Sequence, residues 1–324
     1  MGAEGAAGPR EWWGWGRVRE LARVLGELTK RRVDEERRKG AEWERLWRSL
    51  VSYDELGARQ QLFAYLVGLI LDYKIYSECV PYYVRELQRD GLLAPEAVAR
   101  APVTAIEAAL RRYENGTAKK MGSGESVKCR PNAQKRVDRD EWFRKNAEWI
   151  KKLGTNFDRV LKEIEKVLED SKRIDPSGEE KYVLTPSHTY FILRMIDGIG
   201  PKKAAMAARD AATYIHGLTL PNILGKVFAR KVEMAEHHHT LIFVDYHTRR
   251  VLRNLGIIEK GENAIISSQY LAALAYPGNP GAVDLTLWHI GRDYCKRNNP
   301  NCGECPLRGM CYRYNSAVPM KGKA

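Results

Sequence analysis

From Trp288 to Cys311 the chain reads Trp-His-Ile-Gly-Arg-Asp-Tyr-Cys-Lys-Arg-Asn-Asn-Pro-Asn-Cys-Gly-Glu-Cys-Pro-Leu-Arg-Gly-Met-Cys. Four cysteines, Cys295, Cys302, Cys305 and Cys311, fall in the spacing C-x6-C-x2-C-x5-C. Four thiolates this close hold either one tetrahedral metal ion or a cubane iron–sulfur cluster. Zinc sites more often show two short knuckles a dozen or more residues apart. One long loop followed by tight spacing suits a bulkier cluster, and Pro306 and Gly309 permit the sharp turns. The remaining cysteines, Cys79 and Cys129, stand alone in the sequence, so no disulfide framework is expected.

Upstream, residues 196–204 read Ile-Asp-Gly-Ile-Gly-Pro-Lys-Lys-Ala between two helical patterns. Gly198 and Gly200 allow a tight turn with positive φ, and Pro201 suits the first position of a helix. Amides exposed at such a helix start hold an anion, although G-x-G also occurs where two helices merely pack. Between these two stretches lies Val244-Asp245-Tyr246-His247-Thr248-Arg249-Arg250-Val251-Leu252. Asp245 follows the apolar run 241–244 and is placed to cap a helix while also facing a cleft.

Taken together, these three stretches resemble endonuclease III and the adenine-DNA glycosylases, of the helix-hairpin-helix superfamily. The resemblance covers about residues 55–313 and is most specific at the cysteines. It implies a [4Fe-4S] cluster on Cys295, Cys302, Cys305 and Cys311. It implies DNA contacts at Gly198, Gly200, Lys203, Lys296 and Arg297, the last two in the basic loop between the first two cysteines. It makes Lys202 the nucleophile and Asp245 the catalytic carboxylate. Lys203 stands where the family has threonine and is a rival, or both lysines only bind phosphate. Tyr246 also replaces a usual threonine. In relatives the end of the buried helix near Leu71 fills the gap left by an extruded base. The equivalent pocket positions here are Asp72, Tyr73, Lys74 and Tyr76, bulkier than the family's and equally readable as rim packing.

The implied fold is all-α: two helical domains, a helical barrel with the hairpin and an iron–sulfur domain, flanking a DNA cleft. Domain limits are expected at 1–50 for a basic helical extension, 51–217 for the barrel with its hairpin at about 190–210, 218–240 for an insertion, and 241–324 for the cluster domain, completed by an N-terminal helix. The gap from Lys202 to Asp245 is longer than the family's by about two dozen residues, which a loop tolerates. His237, His238 and His239 close that insertion and read as surface histidines rather than metal ligands.

The implied function is base excision by a DNA glycosylase with AP lyase activity, removing a damaged base, expected to be an oxidised pyrimidine. The alternatives are a monofunctional mismatch thymine or uracil glycosylase, and a non-enzymatic iron–sulfur DNA-binding protein. A net charge of +13 over 324 residues suits a polyanionic partner, here double-stranded DNA with a damaged or mismatched base. No apolar run is long enough to span a membrane, and no secretion signal opens the sequence. A monomer in the cytoplasm, associated with the nucleoid, or in the nucleus of a eukaryote, is expected.

Helices are expected over 17–50, 54–91, 142–171, 187–196, 201–216, 222–239, 247–254 and 282–294. In the first, Leu21, Val24, Leu25 and Leu28 form an apolar stripe that Trp43, Leu46 and Trp47 resume, with the nearly all-charged residues 30–39 between. Residues 62–71 are apolar on all sides and predict a buried helix. Residues 1–16, rich in tryptophan and glycine, and residues 115–137, within a wider basic segment 111–152, read as loops.

Overall fold

The computed structural model describes residues 13–72, 77–130, 138–213, 217–259 and 264–317. The described residues are mostly helical, with five short strands. They divide into two compact units. One comprises the chain up to Glu35 and from Glu236 onward; the other runs from Glu36 to Ala235.

Helix α1 (Trp15–Leu50) contributes to both. Its two apolar stripes serve different cores: Leu21 and Leu25 are fully buried in the first unit, and Trp47 is buried in the second. The mostly charged stretch between the stripes buries Val33, and local pairs such as Arg32–Glu35 and Lys39–Glu36 support its helix.

The second unit is built on α2 (Ala58–Leu71), whose residues 61–68 are all buried. Around it pack α3 (Val80–Arg89), α4 (Pro95–Arg100), α5 (Val103–Arg111), α6 (Arg139–Thr155) and α7 (Phe157–Asp170). Aromatic contacts fill the core: Phe63 meets Phe157 edge-on at 5.4 Å, and Trp142 meets Phe143 at 5.0 Å. The single helical pattern over 142–171 is two helices, because the chain turns at Asn156.

The segment 115–137, read as a loop, contains a hairpin. Strands β1 (Thr117–Lys119) and β2 (Ser126–Lys128) pair antiparallel, and Gly122 and Gly124 take positive φ in the turn. Cys129, directly after β2, forms a disulfide with Cys79. The expectation that both cysteines stand alone is therefore corrected. They lie 50 residues apart in sequence, and only the packing of the hairpin against the start of α3 brings them together.

Three further strands, β3 (Lys172–Ile174), β4 (Glu180–Leu184) and β5 (Val232–Met234), form a small sheet, β3–β4 antiparallel and β4–β5 parallel. Between β4 and β5 run α8 (Pro186–Arg194), α9 (Pro201–Thr213) and α10 (Leu220–Phe228). The helix expected over 222–239 ends at Phe228. Ala229 caps it in the left-handed region, and the chain then pairs with β4. Leu220, Ile223 and Leu224 are buried in the unit's core, so residues 218–235 are structural rather than a loose excursion. His237–His239 form a 3-10 turn.

The first unit packs the start of α1 against α11 (Tyr246–Leu255), α12 (Ala264–Ala275), α13 (Val283–Asp293) and α14 (Tyr312–Ala317). Trp13, from the stretch read as a loop, donates its indole N–H to the carbonyl of Leu255. Thr29 of α1 and Thr286 of α13 share a buried hydrogen bond of 2.9 Å. A Cβ on Gly291 would meet the backbone of His247 at 2.9 Å, so glycine there lets α11 and α13 pack in contact.

Candidate functional site

The hairpin joining α8 to α9 is set by its first glycine. Gly198 has φ of +84°, and a Cβ on it would lie 2.9 Å from the indole of Trp149. Both backbone and space require glycine there. Gly200 differs: it has no positive φ and nothing within 4 Å of its would-be Cβ, which leaves its surroundings open. Its carbonyl accepts the first α9 hydrogen bond, from Ala204. Asp197 in the turn pairs with Lys152 at 3.0 Å.

The two lysines that follow separate by helical phase. Lys202, in the first turn of α9, is exposed. Lys203 lies on the inward face with Ala207 and Ala211, and its ammonium donates to the carbonyls of Ile70 (2.6 Å) and Gly198 (3.2 Å). Burial lowers the Lys203 pKa from 10.5 to about 8, against the pull of Asp72. Lys203 was expected at a phosphate. Its amine instead ties the hairpin turn to the end of α2.

Asp72, at the C-terminus of α2, faces the same place. Burial raises the pKa of its carboxyl, while the charges of Lys203 and Lys202 oppose the rise. Among the described residues no hydrogen bond reaches this carboxyl. The structure thus brings Asp72 together with both hairpin lysines. Tyr73, Lys74 and Tyr76 lie outside the described residues.

A cavity of about 240 Å³ opens beside Lys203 and Asp72, with Trp43, Trp47, Tyr65 and Asp210 among its walls. Trp43 and Trp47 stack at 5.1 Å with planes 29° apart. Met121, from the β1–β2 turn, also lines it, and its N–H donates to Glu78. These walls are not among the residues that the sequence singles out for the site. The signal was there: Trp43 and Trp47 lie four residues apart on one helix face, and Lys203, Ala207 and Asp210 lie on one face of α9.

In the first unit, Asp245 is the N-cap of α11, its carboxylate accepting the N–H of Thr248 at 2.9 Å. The hydroxyl of Thr248 donates to Asp284 of α13 at 3.0 Å within the core. Arg250, one turn on, donates to the carbonyls of Gly291 and Cys295. The helix that carries Asp245 is thereby fastened to the segment that carries the cysteines.

Cys295, Cys302, Cys305 and Cys311 are free thiols, each half-buried. Burial pushes the Cys305 thiol up to about 11, and neighbouring Cys295, Cys311 and Cys302 push the same way. Burial raises Cys311 also. Donors surround the sulfurs: the Asn254 amide lies 3.0 Å from Cys295 Sγ, and the backbone N–H groups of Leu307 and of Tyr314 and Arg313 act on Cys305 and Cys311. Four free thiols close in sequence, with N–H donors at Cys295, Cys305 and Cys311, fit a cationic iron core, which binds thiolates. Among the described residues no three His, Cys, Asp or Glu side chains are grouped as a single metal ion requires. Lys296 and Arg297, between the first two cysteines, are exposed. His239 pairs with Glu236 at 2.9 Å.

No family model and no curated protein matches the chain. Among solved structures, it is similar to a trapped endonuclease III–DNA covalent intermediate, an estranged-adenine complex. The identity is 15 %, the TM-score 0.42, and the coverage 79 % of this chain and 85 % of that one. A non-covalent endonuclease III–DNA complex gives 16 % identity and a TM-score of 0.41, covering 78 % and 84 %. No described helix is long and apolar enough to cross a membrane.

Proposed function

We propose that this protein is a DNA glycosylase with AP lyase activity that acts on a damaged base in duplex DNA. The observation that carries the reading is the exposed Lys202 in the first turn of α9, directly after a turn that only glycine can make at Gly198. A second support is Asp245, a carboxylate fixed at a helix start. A third is the quartet of free thiols, with Lys296 and Arg297 exposed beside them.

The chemistry needs those groups. The target nucleotide leaves the stack. The neutral amine of Lys202 attacks C1′ as the N-glycosidic bond breaks, and the bonding pair leaves with the base, which gains a proton. The reaction also needs a carboxylate to stabilise the positive charge on the sugar and to take the proton from the attacking amine, the role that the resemblance implies for Asp245. Ring opening gives a Schiff base between Lys202 and C1′. Loss of a C2′ proton then expels the 3′ phosphate and nicks the strand. Cys295, Cys302, Cys305 and Cys311 would hold the [4Fe-4S] cluster, which supplies a rigid, redox-capable centre beside the Lys296–Arg297 loop.

One observation favours a second reading of the nucleophile. The Lys203 amine has the lowered pKa that suits attack near neutral pH, although it is held by two carbonyls. Nicking of a duplex with one abasic site tests the function. Wild type nicks it and Lys202→Ala does not. Base release from a duplex carrying a damaged base, with no nicking of the abasic duplex, would mark a monofunctional enzyme; DNA binding with neither would mark a binder.

A further inference from the structure

We propose that the cavity between α1, α2 and α9 receives the extruded base, and that the base it reads is a guanine derivative rather than an oxidised pyrimidine. The inference rests on the glycosylase reading and adds its substrate class.

At about 240 Å³ the cavity is below the roughly 300–1,000 Å³ of pockets for drug-sized ligands, and it has room for one heterocycle. Its walls are flat. The stacked indoles of Trp43 and Trp47 and the ring of Tyr65 offer π surfaces of the kind that hold an unstacked base.

Two polar groups in the walls lack partners among the described residues. The Nε1–H of Trp47 is buried with no hydrogen bond, and Trp47 is only 2 % exposed. A buried donor without an acceptor is destabilising, and a ligand acceptor would relieve it. The second group is the half-buried carboxyl of Asp72. Burial raises its pKa, and the nearby charges of Lys203 and Lys202 oppose that rise.

A carboxylate and an indole N–H select among base edges. Guanine alone presents two adjacent donors, N1–H and the 2-amino group, which one carboxylate accepts together. Its ring nitrogens and O6 remain as acceptors for the indole N–H. A thymine- or uracil-derived base presents one N–H flanked by two carbonyls, whose lone pairs would face the carboxylate. Cytosine and adenine each set an acceptor beside their amino group. Asp72 is therefore matched to guanine.

The test is single-turnover base release by the full chain from duplexes carrying 8-oxoguanine or 5-hydroxyuracil, with nicking of an abasic duplex in parallel. Wild type is expected to release 8-oxoguanine at least tenfold faster. Asp72→Asn keeps the shape but turns one acceptor into a donor. It should cost about ten- to a hundredfold on 8-oxoguanine and several-fold less on 5-hydroxyuracil. Trp47→Phe, which removes the N–H together with part of the ring, should narrow the preference in the same direction should Asp72→Asn fail to fold. Faster release of 5-hydroxyuracil by wild type, or equal losses on both lesions in the variants, would overturn the cavity assignment. Abasic nicking would in that case leave the glycosylase–lyase reading standing. No nicking and no release of either base would overturn both.

Discussion

Replacing Gly198 with alanine tests whether the hairpin turn is as constrained as its geometry says. The position has φ of +84°, and the added methyl would sit 2.9 Å from the Trp149 indole. Left-handed backbone at a non-glycine residue costs roughly 1–2 kcal/mol, and an extra methyl forced into a packed site costs about 1–3 kcal/mol. Gly198→Ala should therefore lose about 2–5 kcal/mol, or roughly 5–20 °C in the melting of a unit this size. Gly200→Ala, with no positive φ and nothing within 4 Å, should stay within about 0.5 kcal/mol. Urea titration followed by tryptophan fluorescence, with thermal melts by circular dichroism, measures both. Equal losses in the two variants, or none in Gly198→Ala, would refute the argument that this turn is glycine-specific and aims Lys202.

Three further outcomes are expected. Asp245→Asn should keep the helix cap, because asparagine caps as well as aspartate, and melt within about 1 kcal/mol of wild type while base release collapses; parallel melts and single-turnover assays separate the two roles. The Lys203 amine has its pKa lowered from 10.5 to about 8. The folded state thus binds fewer protons than the unfolded state across that window, and stability should rise with pH through it. Relative to Lys203→Met, wild type should gain up to about 3 kcal/mol between those pH values, read from urea midpoints at several pH values. Removing the Cys79–Cys129 bridge, which closes a 50-residue span, should cost about 2–4 kcal/mol, seen as a lower urea midpoint for Cys79→Ala/Cys129→Ala against the oxidised wild type.

Where local pattern decided the structure, the sequence was readable. The apolar stripe read on α1 holds the residues it buries, Leu21, Leu25 and Trp47, although the sequence did not show that they enter two different cores, and the all-apolar run over 62–71 is the buried α2. The glycine turn was legible because it depends on near neighbours. Contacts between distant segments were not. Cys79 meets Cys129 across 50 residues, and Tyr182 pairs with Val232 in a parallel ladder whose partners lie on either side of three helices. Neither leaves a periodic trace. The helix expected over 222–239 stops early because Ala229 adopts the left-handed conformation, which alanine rarely signals. Lys202 and Lys203 look equivalent in a string of letters. Helical phase separates them, one outward and one turned onto the carbonyls of Ile70 and Gly198.

The central claim is the covalent role of Lys202, and borohydride trapping tests it most directly. A duplex with one abasic site is incubated with wild type, Lys202→Ala and Lys203→Ala in the presence of borohydride, and the adduct is digested and sequenced by mass spectrometry. The account predicts a reduced sugar on Lys202, an adduct from Lys203→Ala, and none from Lys202→Ala. An adduct on Lys203, or none from folded, iron-loaded wild type, would contradict it.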